Sequence, residues 1–113
     1  MQKEYDTNNI FAKIIRGEIP CDKVYEDDKI LAFNDINPKA PVHILVIPKG
    51  EYRSFDDFIA KASKEEVIYF FKKVQEIAKK KGVSKSGYRI VANHGKKAGQ
   101  IVFHFHIHIL GYN

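Results

Sequence analysis

The segment His104-Phe105-His106-Ile107-His108-Ile109-Leu110 holds three of the chain's five histidines, and they alternate with apolar residues. Strict alternation over seven residues is the period of a half-buried β-strand and not of a helix. We therefore predict a strand in which Phe105, Ile107 and Ile109 point into a core while the three histidines form a row on the opposite face. Neighbouring histidines in that row would stand roughly 6.5–7 Å apart, from a rise of about 3.3 Å per residue.

Two chemistries use imidazoles in such a row. A His-x-His pair on a strand can bind zinc or another divalent ion. One ion cannot take all three, because His104 and His108 would lie about 13 Å apart, whereas Zn–N bonds measure about 2.0–2.1 Å. The alternative is a phosphoryl site, in which the central imidazole of His106 attacks phosphorus while its neighbours hold oxygens or manage protons. The row by itself leaves both chemistries open.

Length and composition describe one small globular domain. The 113 residues are 44% hydrophobic and 29% charged, so we predict a single domain over residues 1–113 with a flexible N-terminus at residues 1–7. No apolar run is long enough to cross a membrane, and no signal peptide precedes the first charged residues. The single cysteine, Cys21, fits a reducing compartment. These features predict a cytoplasmic protein without membrane contact.

The formal charge of +5 suits an anionic ligand but does not identify one. Many lysines fall in one helical segment, residues 63–81, where they form a solvated face. No aromatic residues interleave with a basic patch as they do in proteins that bind single strands. We therefore do not expect a nucleic-acid partner.

The order of the predicted elements is that of an α+β domain. Apolar spacing predicts a short helix at residues 10–16 and a long helix that begins at the capping box of Ser63 and ends near Lys81. Strands are predicted at residues 23–26, 30–33, 42–48, 88–92 and 101–110. The third strand is apolar throughout, so we expect it to be covered on both faces.

The last two predicted strands would form an antiparallel hairpin. Its loop, residues 93–100, would then hang close to the histidine row. Glycines in this loop let backbone N–H groups approach an anion, and Asn93 and Gln100 add side-chain donors. Together with three histidines, this loop favours phosphate over metal.

At this point the chain closely resembles the histidine-triad (HIT) family, whose signature is a strand of three histidines separated by apolar residues. The likeness runs from Ile10 to Gly111. It includes the segments at residues 11–15, 17–20, 31–33, 35–36, 43–49 and 99–100, together with Asn93 and the final strand. Leu110-Gly111 after the triad is similar to the Hint branch, the nucleoside phosphoramidate hydrolases and histidine triad nucleotide-binding proteins. The diadenosine polyphosphate branch would usually have Pro-Arg there.

The resemblance implies a five-stranded antiparallel sheet with one long and one short helix, and a ten-stranded sheet across a homodimer. Tyr69, Phe70 and Phe71 on the long helix agree with this, because they offer more apolar surface than one core face needs. The implied activity is hydrolysis of purine nucleoside 5′-phosphoramidates or related nucleotidyl conjugates, including aminoacyl adenylates. AMP or GMP conjugates would be the substrates, and the intermediate would be a covalent nucleotidyl-histidine on His106.

Three other functions are compatible with the sequence. The first is a dinucleoside polyphosphate hydrolase or nucleotidyl transferase that uses the same intermediate. The second is a nucleotide-binding regulatory protein with incidental hydrolysis. The third is a metal-binding module.

The resemblance also implies roles for individual residues. His43, His104 and His108 would orient the nucleophile and bind the phosphate, and Asp35 would take the ribose hydroxyls. The apolar purine slot would consist of Ile10, Phe11, Ile14, Phe33 and Ile36. Phosphate or ribose-side oxygens would be held by Asn93, Gln100 and the backbone N–H groups of Gly99, Gln100 and Ile101.

Three departures from the family pattern matter. Many bacterial relatives carry a structural zinc on a Cys-x-x-Cys pair, but this chain has Asn9-Ile10-Phe11-Ala12, so we predict no metal and no cofactor. Ile101 stands where the Hint branch usually has a polar residue, and the chain stops at Tyr112-Asn113. These last two leave the preferred leaving group open, and an apolar slot does not distinguish adenine from guanine.

Overall fold

A computed structural model describes residues 4–113. It contains a five-stranded antiparallel sheet in the order β1-β2-β3-β5-β4. The strands are β1 (Lys23–Glu26), β2 (Ile30–Asn34), β3 (Val42–Pro48), β4 (Tyr88–Val91) and β5 (Ile107–Gly111). The α-helices of the described residues are α1 (Ile10–Ile15), α2 (Phe55–Lys61), α3 (Lys64–Lys80) and α4 (Val83–Ser86). The predicted α+β class and five-stranded sheet are confirmed, and α2 and α4 are additional to the two predicted helices.

The histidine strand is shorter than predicted. We expected it to span residues 101–110, but β5 begins at Ile107. Its neighbours explain this, because the pairing with β3 ends at Val46↔Ile107 and the pairing with β4 ends one residue later in β5. Residues 101–106 therefore precede the sheet, although the backbone N–H of Phe105 still donates to the carbonyl of Tyr52 at 2.7 Å. Alternation of residue type predicts which face a side chain takes, but it does not report where the partner strand ends.

Apolar side chains from alternate strand positions build a core on each face of the sheet. Helices α2, α3 and α4 cover one face, where Ile44, Val46, Phe105, Ile107 and Ile109 join Phe58, Phe70 and Val74. Helix α1 covers the other face through Phe11, which packs with Leu31, Phe33, Leu45 and Ile47. Strand β3 contributes to both cores, which confirms that it is covered on both faces. The histidine row belongs to the α1 face.

The aromatic residues of α3, which we expect to take part in a dimer interface, also make contacts within the subunit. Phe70 is buried, and the ring of Phe71 packs edge-on against it at 5.3 Å. The Tyr69 hydroxyl donates to the carboxylate of Asp27, and the Nζ of Lys73 lies 5.3 Å from the Tyr69 ring centre.

Within residues 4–113, no helix has the length and apolarity needed to cross a lipid bilayer.

Two isoleucines, one on α3 and one on β4, are exposed to solvent. Ile68 on α3 is 56% exposed and Ile90 on the edge strand β4 is 51% exposed. Ile90 stands opposite the fully buried Ile109, and cross-strand partners share a face of the sheet. Ile90 therefore lies on the helix-covered face at an edge that the helices leave open.

Candidate active site

The central histidine presents one free ring nitrogen. His106 Nδ1 lies 2.7 Å from the backbone carbonyl oxygen of His104. A carbonyl oxygen only accepts, so Nδ1 must carry the proton and donate it. The Nε2 of a neutral His106 then keeps its lone pair. The rings of Phe11 and His106 pack edge-to-face, with centroids 5.0 Å apart and an interplanar angle of 88°, which holds the imidazole in place.

The first histidine of the row is fully buried and bonded at both ring nitrogens. His104 Nε2 donates to the carbonyl oxygen of Pro48 at 2.7 Å, which leaves Nδ1 as the acceptor. The hydroxyl of Tyr5 donates to this Nδ1 at 2.6 Å. The residues that bind His104 therefore come from the end of β3 and from the N-terminal segment, and no sequence motif indicated either of them.

The N-terminal segment is held to α1 by several contacts. We predicted residues 1–7 to be flexible; residues 1–3 lie outside the described part of the chain. Asn9 caps α1 by accepting from the N–H of Ala12, and its Nδ2 donates to the carbonyl of Asp6. Arg16 Nη1 donates to the carbonyl of Thr7 at 2.8 Å. These contacts fix Asp6 and Thr7 against α1, and the preceding Tyr5 lies beside His104.

The third histidine pairs with the histidine of β3. His43 stands opposite Leu110 and His108 stands opposite Leu45, so the two imidazoles are diagonal neighbours on one face. His43 Nε2 lies 3.0 Å from His108 Nδ1, and the backbone N–H of Lys39 donates to His43 Nδ1 at 3.0 Å. An imidazole nitrogen that accepts from an N–H carries no proton, so a neutral His43 carries its proton on Nε2 and donates it to His108. His108 then carries its own proton on Nε2.

Asp35 completes this group. Its Oδ2 lies 3.4 Å from His43 Nε2, and its Oδ1 accepts from the N–H of Asn37 at 2.8 Å. The backbone N–H of Asp35 donates to the carbonyl of His43, which fixes the turn that follows β2 to the start of β3. The carboxylate is only partly buried, so it keeps room for a further donor.

Asp35, His43 and His108 also form a potential metal site, since one ligand atom from each lies within 4.8 Å of the others. The hydrogen bonds do not fit this use. A histidine that binds a metal through one nitrogen normally donates its other ring N–H to an acceptor. His43 Nδ1 instead faces the backbone N–H of Lys39, so its Nε2 is the protonated nitrogen. A metal ion on that nitrogen would need the Lys39 hydrogen bond to break or the imidazole to lose its last proton.

Burial keeps the imidazoles neutral. Burial, together with the neighbouring His106, lowers the pKa values of His104 and His108 to about 4. Burial also lowers the pKa of His106, although the His104 carbonyl and Asp35 oppose the effect. The pKa of His43 falls for the same reason, despite the nearby Asp35 carboxylate. Near pH 7 the site therefore offers neutral rings whose hydrogen bonds select one tautomer each.

The apolar residues assigned to a purine slot fall into two groups. Phe11 and Phe33 are buried and meet edge-to-face at 5.6 Å, next to the histidine row, with Ile14 packed against them. Ile10 and Ile36 are 46% and 88% exposed. The first group forms a rigid floor, whereas the two exposed isoleucines are available to cover a flat ligand.

The contacts of the glycine-containing loop, residues 93–100, differ in part from those that we predicted. Gly99 has φ +98°, and a Cβ at this position would lie 3.9 Å from Asn93 Nδ2, so these two residues do meet. The Gln100 side chain is buried; its Nε2 donates to the carbonyls of Arg53 and Val102 and its Oε1 accepts from the N–H of Gly95. Both of its N–H donors are thus used to hold the loop. We therefore do not assign phosphate binding to this side chain.

A groove of about 750 Å³ lies beyond the same loop. Its walls include Arg53, Asp56, His94, Lys96 and Ile101, and no histidine of the triad lines it. Ile101 is 86% exposed and offers no polar side-chain atom. The groove adjoins the site through Gly99 and Gln100 and is distinct from the histidine row.

Comparisons with known proteins agree with these features. A family model described as "HIT domain" matches residues 16–113. An uncharacterized HIT-like protein of Rickettsia prowazekii is 54% identical over 107 residues, which cover 95% of this chain and 89% of the Rickettsia protein. The purine nucleoside phosphoramidase of Escherichia coli is 42% identical over 102 residues, covering 90% and 85%. The crystal structure of a HIT family hydrolase from Legionella pneumophila matches with a TM-score of 0.86 at 41% identity, covering 92% of each chain.

Proposed function

The chain belongs to the HIT domain family, and from this premise we propose that it hydrolyses purine nucleoside 5′-phosphoramidates or related nucleotidyl conjugates, including aminoacyl adenylates. His106 is the nucleophile of the proposed reaction. The intermediate is a nucleotidyl group bound covalently to its Nε2. The observation that carries the proposal is the hydrogen bond from His106 Nδ1 to the His104 carbonyl, because it directs the lone pair of a neutral imidazole away from the backbone.

The proposed reaction has two displacements at one phosphorus. His106 Nε2 attacks the α-phosphorus, the bond between phosphorus and the leaving nitrogen breaks, and the amine departs with a proton. Water then attacks the same phosphorus, the bond to His106 breaks, and a nucleoside 5′-monophosphate leaves as the water loses a proton. Splitting one displacement into two through a positively charged phosphohistidine is covalent catalysis.

His108 supplies the donor that such a phosphoryl group needs. Its ring lies 5.1 Å from that of His106 at an interplanar angle of 72°. The His43 bond leaves the proton of His108 on Nε2, so a neutral N–H stands beside the nucleophile. A neutral N–H can donate a hydrogen bond to a non-bridging phosphate oxygen, and it does not protonate the nucleophile. His43 and Lys39 act in this scheme by fixing that proton.

The proposed nucleotide contacts follow from position. The partly exposed carboxylate of Asp35 takes the ribose hydroxyls. Ile10 and Ile36 cover the purine over the floor formed by Phe11, Phe33 and Ile14. Asn93 and the backbone N–H groups of the 99–101 loop hold phosphate oxygens. The 42% identity to a protein named purine nucleoside phosphoramidase supports this substrate class over the dinucleoside polyphosphates.

Two further parts of the proposal concern assembly and location. The exposed Ile68 and Ile90 and the edge strand β4 support a homodimer whose two sheets join into one of ten strands. The single partly buried cysteine is compatible with a cytoplasmic location. Nucleic acid and membranes are not among the proposed partners.

A trapping experiment tests the proposed activity. Turnover of an adenosine 5′-phosphoramidate is compared with that of diadenosine polyphosphates, and the acid-quenched protein is analysed for the mass of an added AMP group. The proposal expects fast release of amine and AMP together with labelled enzyme. Preference for the diadenosine substrate would favour the polyphosphate alternative. AMP binding without labelling or turnover would favour a regulatory nucleotide-binding protein.

A further inference from the structure

The hydroxyl of Tyr5 connects the N-terminal segment to the histidine row over 99 sequence positions. It lies 2.6 Å from His104 Nδ1, and the two rings meet edge-on with centroids 5.6 Å apart. The role of His104 in the proposed reaction is indirect, since both of its ring nitrogens are occupied by protein groups. Its contribution to the nucleophile is its backbone carbonyl, which accepts from His106 Nδ1.

The backbone that carries this carbonyl is not part of the sheet. Residues 101–106 precede β5, so the regular ladder does not fix the direction of the His104 carbonyl. Two kinds of bond hold it instead. The N–H of Phe105 donates to the Tyr52 carbonyl, and the His104 side chain is fastened by Pro48 on one side and Tyr5 on the other.

From this geometry we propose that Tyr5 is a positioning residue for the nucleophile. Its hydroxyl completes the fixation of the His104 ring, which holds the His104 carbonyl in line with His106 Nδ1 and so keeps the His106 lone pair on Nε2. The inference rests on the proposed function for its kinetic consequence, but not for its structural one.

The environment of Tyr5 keeps the hydroxyl protonated. Burial is the largest cause that raises its pKa, and the Glu51 carboxylate adds to it. The group is therefore a donor near neutral pH, as the lone pair of His104 Nδ1 requires. Removal of the hydroxyl would leave a buried acceptor without its partner and allow the His104 ring to shift.

The test is Tyr5→Phe, which removes the hydroxyl and keeps the ring that packs on His104. The matched control is Tyr25→Phe, because Tyr25 is also partly buried and its hydroxyl donates to the carboxylate of Asp27, on the face of the sheet opposite the histidine row. Single-turnover labelling of Tyr5→Phe with an adenosine 5′-phosphoramidate should slow by about 2- to 12-fold, the range of one neutral hydrogen bond felt in the transition state. The Kd for AMP should stay within about twofold, as should both quantities in Tyr25→Phe.

Imidazole ¹⁵N NMR provides a readout that does not depend on activity. In the unsubstituted protein His106 should show a protonated Nδ1 and His104 a protonated Nε2. In Tyr5→Phe the His104 Nδ1 resonance should move and the Nδ1–H form of His106 should lose population. A purely structural role would lower thermal stability without changing the tautomers.

The outcomes separate this inference from the proposed function. A labelling rate within twofold of the unsubstituted protein, or a loss of AMP affinity equal to the loss of rate, overturns the positioning role. If the unsubstituted protein forms no nucleotidyl-enzyme, the proposed function fails and the NMR result alone decides. Unchanged His106 tautomers in Tyr5→Phe then overturn the inference, and a shifted population supports it.

Discussion

His43 Nε2 lies 3.0 Å from His108 Nδ1, and the proton between them belongs to His43. The backbone N–H of Lys39 decides this, because it occupies the other nitrogen of His43 and can only donate. A main-chain group in the loop before β3 therefore sets the tautomer of an imidazole on β5. The same bond directs the His108 N–H to the place where the proposed phosphoryl group would bind.

Removing the His43 side chain should weaken the proposed catalysis without ending it. His43→Ala frees His108 to carry its proton on either nitrogen, so the single-turnover labelling rate should fall by roughly 2- to 12-fold, the worth of one neutral hydrogen bond. Lys39→Ala is the matched control, since it keeps the backbone N–H, and its rate should be unchanged. An equal loss in both variants would show that the Lys39 side chain matters and not its N–H.

Removal of the proposed nucleophile should have a far larger effect. His106→Ala should abolish the nucleotidyl-enzyme and lower turnover by roughly a thousandfold or more, as expected when a nucleophile is removed. Binding of AMP, measured by calorimetry, should persist because the purine and ribose contacts remain. His94→Ala serves as the comparison, since His94 is an exposed histidine outside the triad. Labelled His106→Ala protein would transfer the role to another histidine.

The proposed homodimer should depend on the uncovered edge. Sedimentation at micromolar concentration should give twice the 13.0 kDa chain mass. Ile90→Lys places a charge on the open, apolar end of the sheet and should shift the protein toward monomer. Ile59→Lys changes an isoleucine of similar exposure, 44%, on α2 and should leave the mass unchanged. A monomeric unsubstituted protein would exclude the proposed dimer.

Stability should fall as the solution becomes mildly acidic. His104 and His108 have pKa values lowered to about 4 by burial, against about 6.5 in an unfolded chain. The unfolded chain therefore binds more protons between these values, so the free energy of unfolding is greatest above pH 6.5 and decreases as the pH falls toward 4. Glu26 and Asp27 have pKa values lowered to about 2, so the stabilisation that they provide is lost only in more acidic solution.

Urea unfolding at pH 7, 6 and 5 measures this effect. The midpoint should decrease steadily over that range. Imidazole signals of His104 and His108 should show no titration above pH 5 in the folded protein. A free energy of unfolding that is constant from pH 7 to 5 would contradict the burial of neutral histidines.

The exposed side chain at position 101 should influence the leaving group. An amine leaves readily only if it gains a proton as the P–N bond breaks, and isoleucine has no donor to assist. Ile101→Ser should raise kcat by a few fold, up to roughly tenfold, for substrates with basic amines. It should change little for conjugates whose leaving group needs no proton, and little in AMP affinity. Equal effects on both substrate types would show that this position does not assist departure.

The sequence predicted most elements because their signals are local. Alternating residues predicted β5 and the faces of its side chains, and a continuous apolar run predicted β3. The capping box at Ser63 predicted the start of α3, where the serine accepts from the N–H of Glu66. The resemblance to the HIT family rests on the same local patterns, and the family match confirms it. The ends of strands were predicted less well, since β5 begins at Ile107 and not at Ile101.

Only the tertiary structure determines which ring nitrogen of each imidazole carries the proton. The partners that set these protons are Tyr5, Lys39 N–H and the carbonyls of Pro48 and His104, and three of the four lie outside the histidine motif. It also decided that Gln100 Nε2, expected to hold phosphate or ribose-side oxygens, donates to the carbonyls of Arg53 and Val102. Periodicity reports the face on which a side chain lies. Hydrogen-bond direction depends on groups brought together from distant parts of the chain, so only the packed fold determines it.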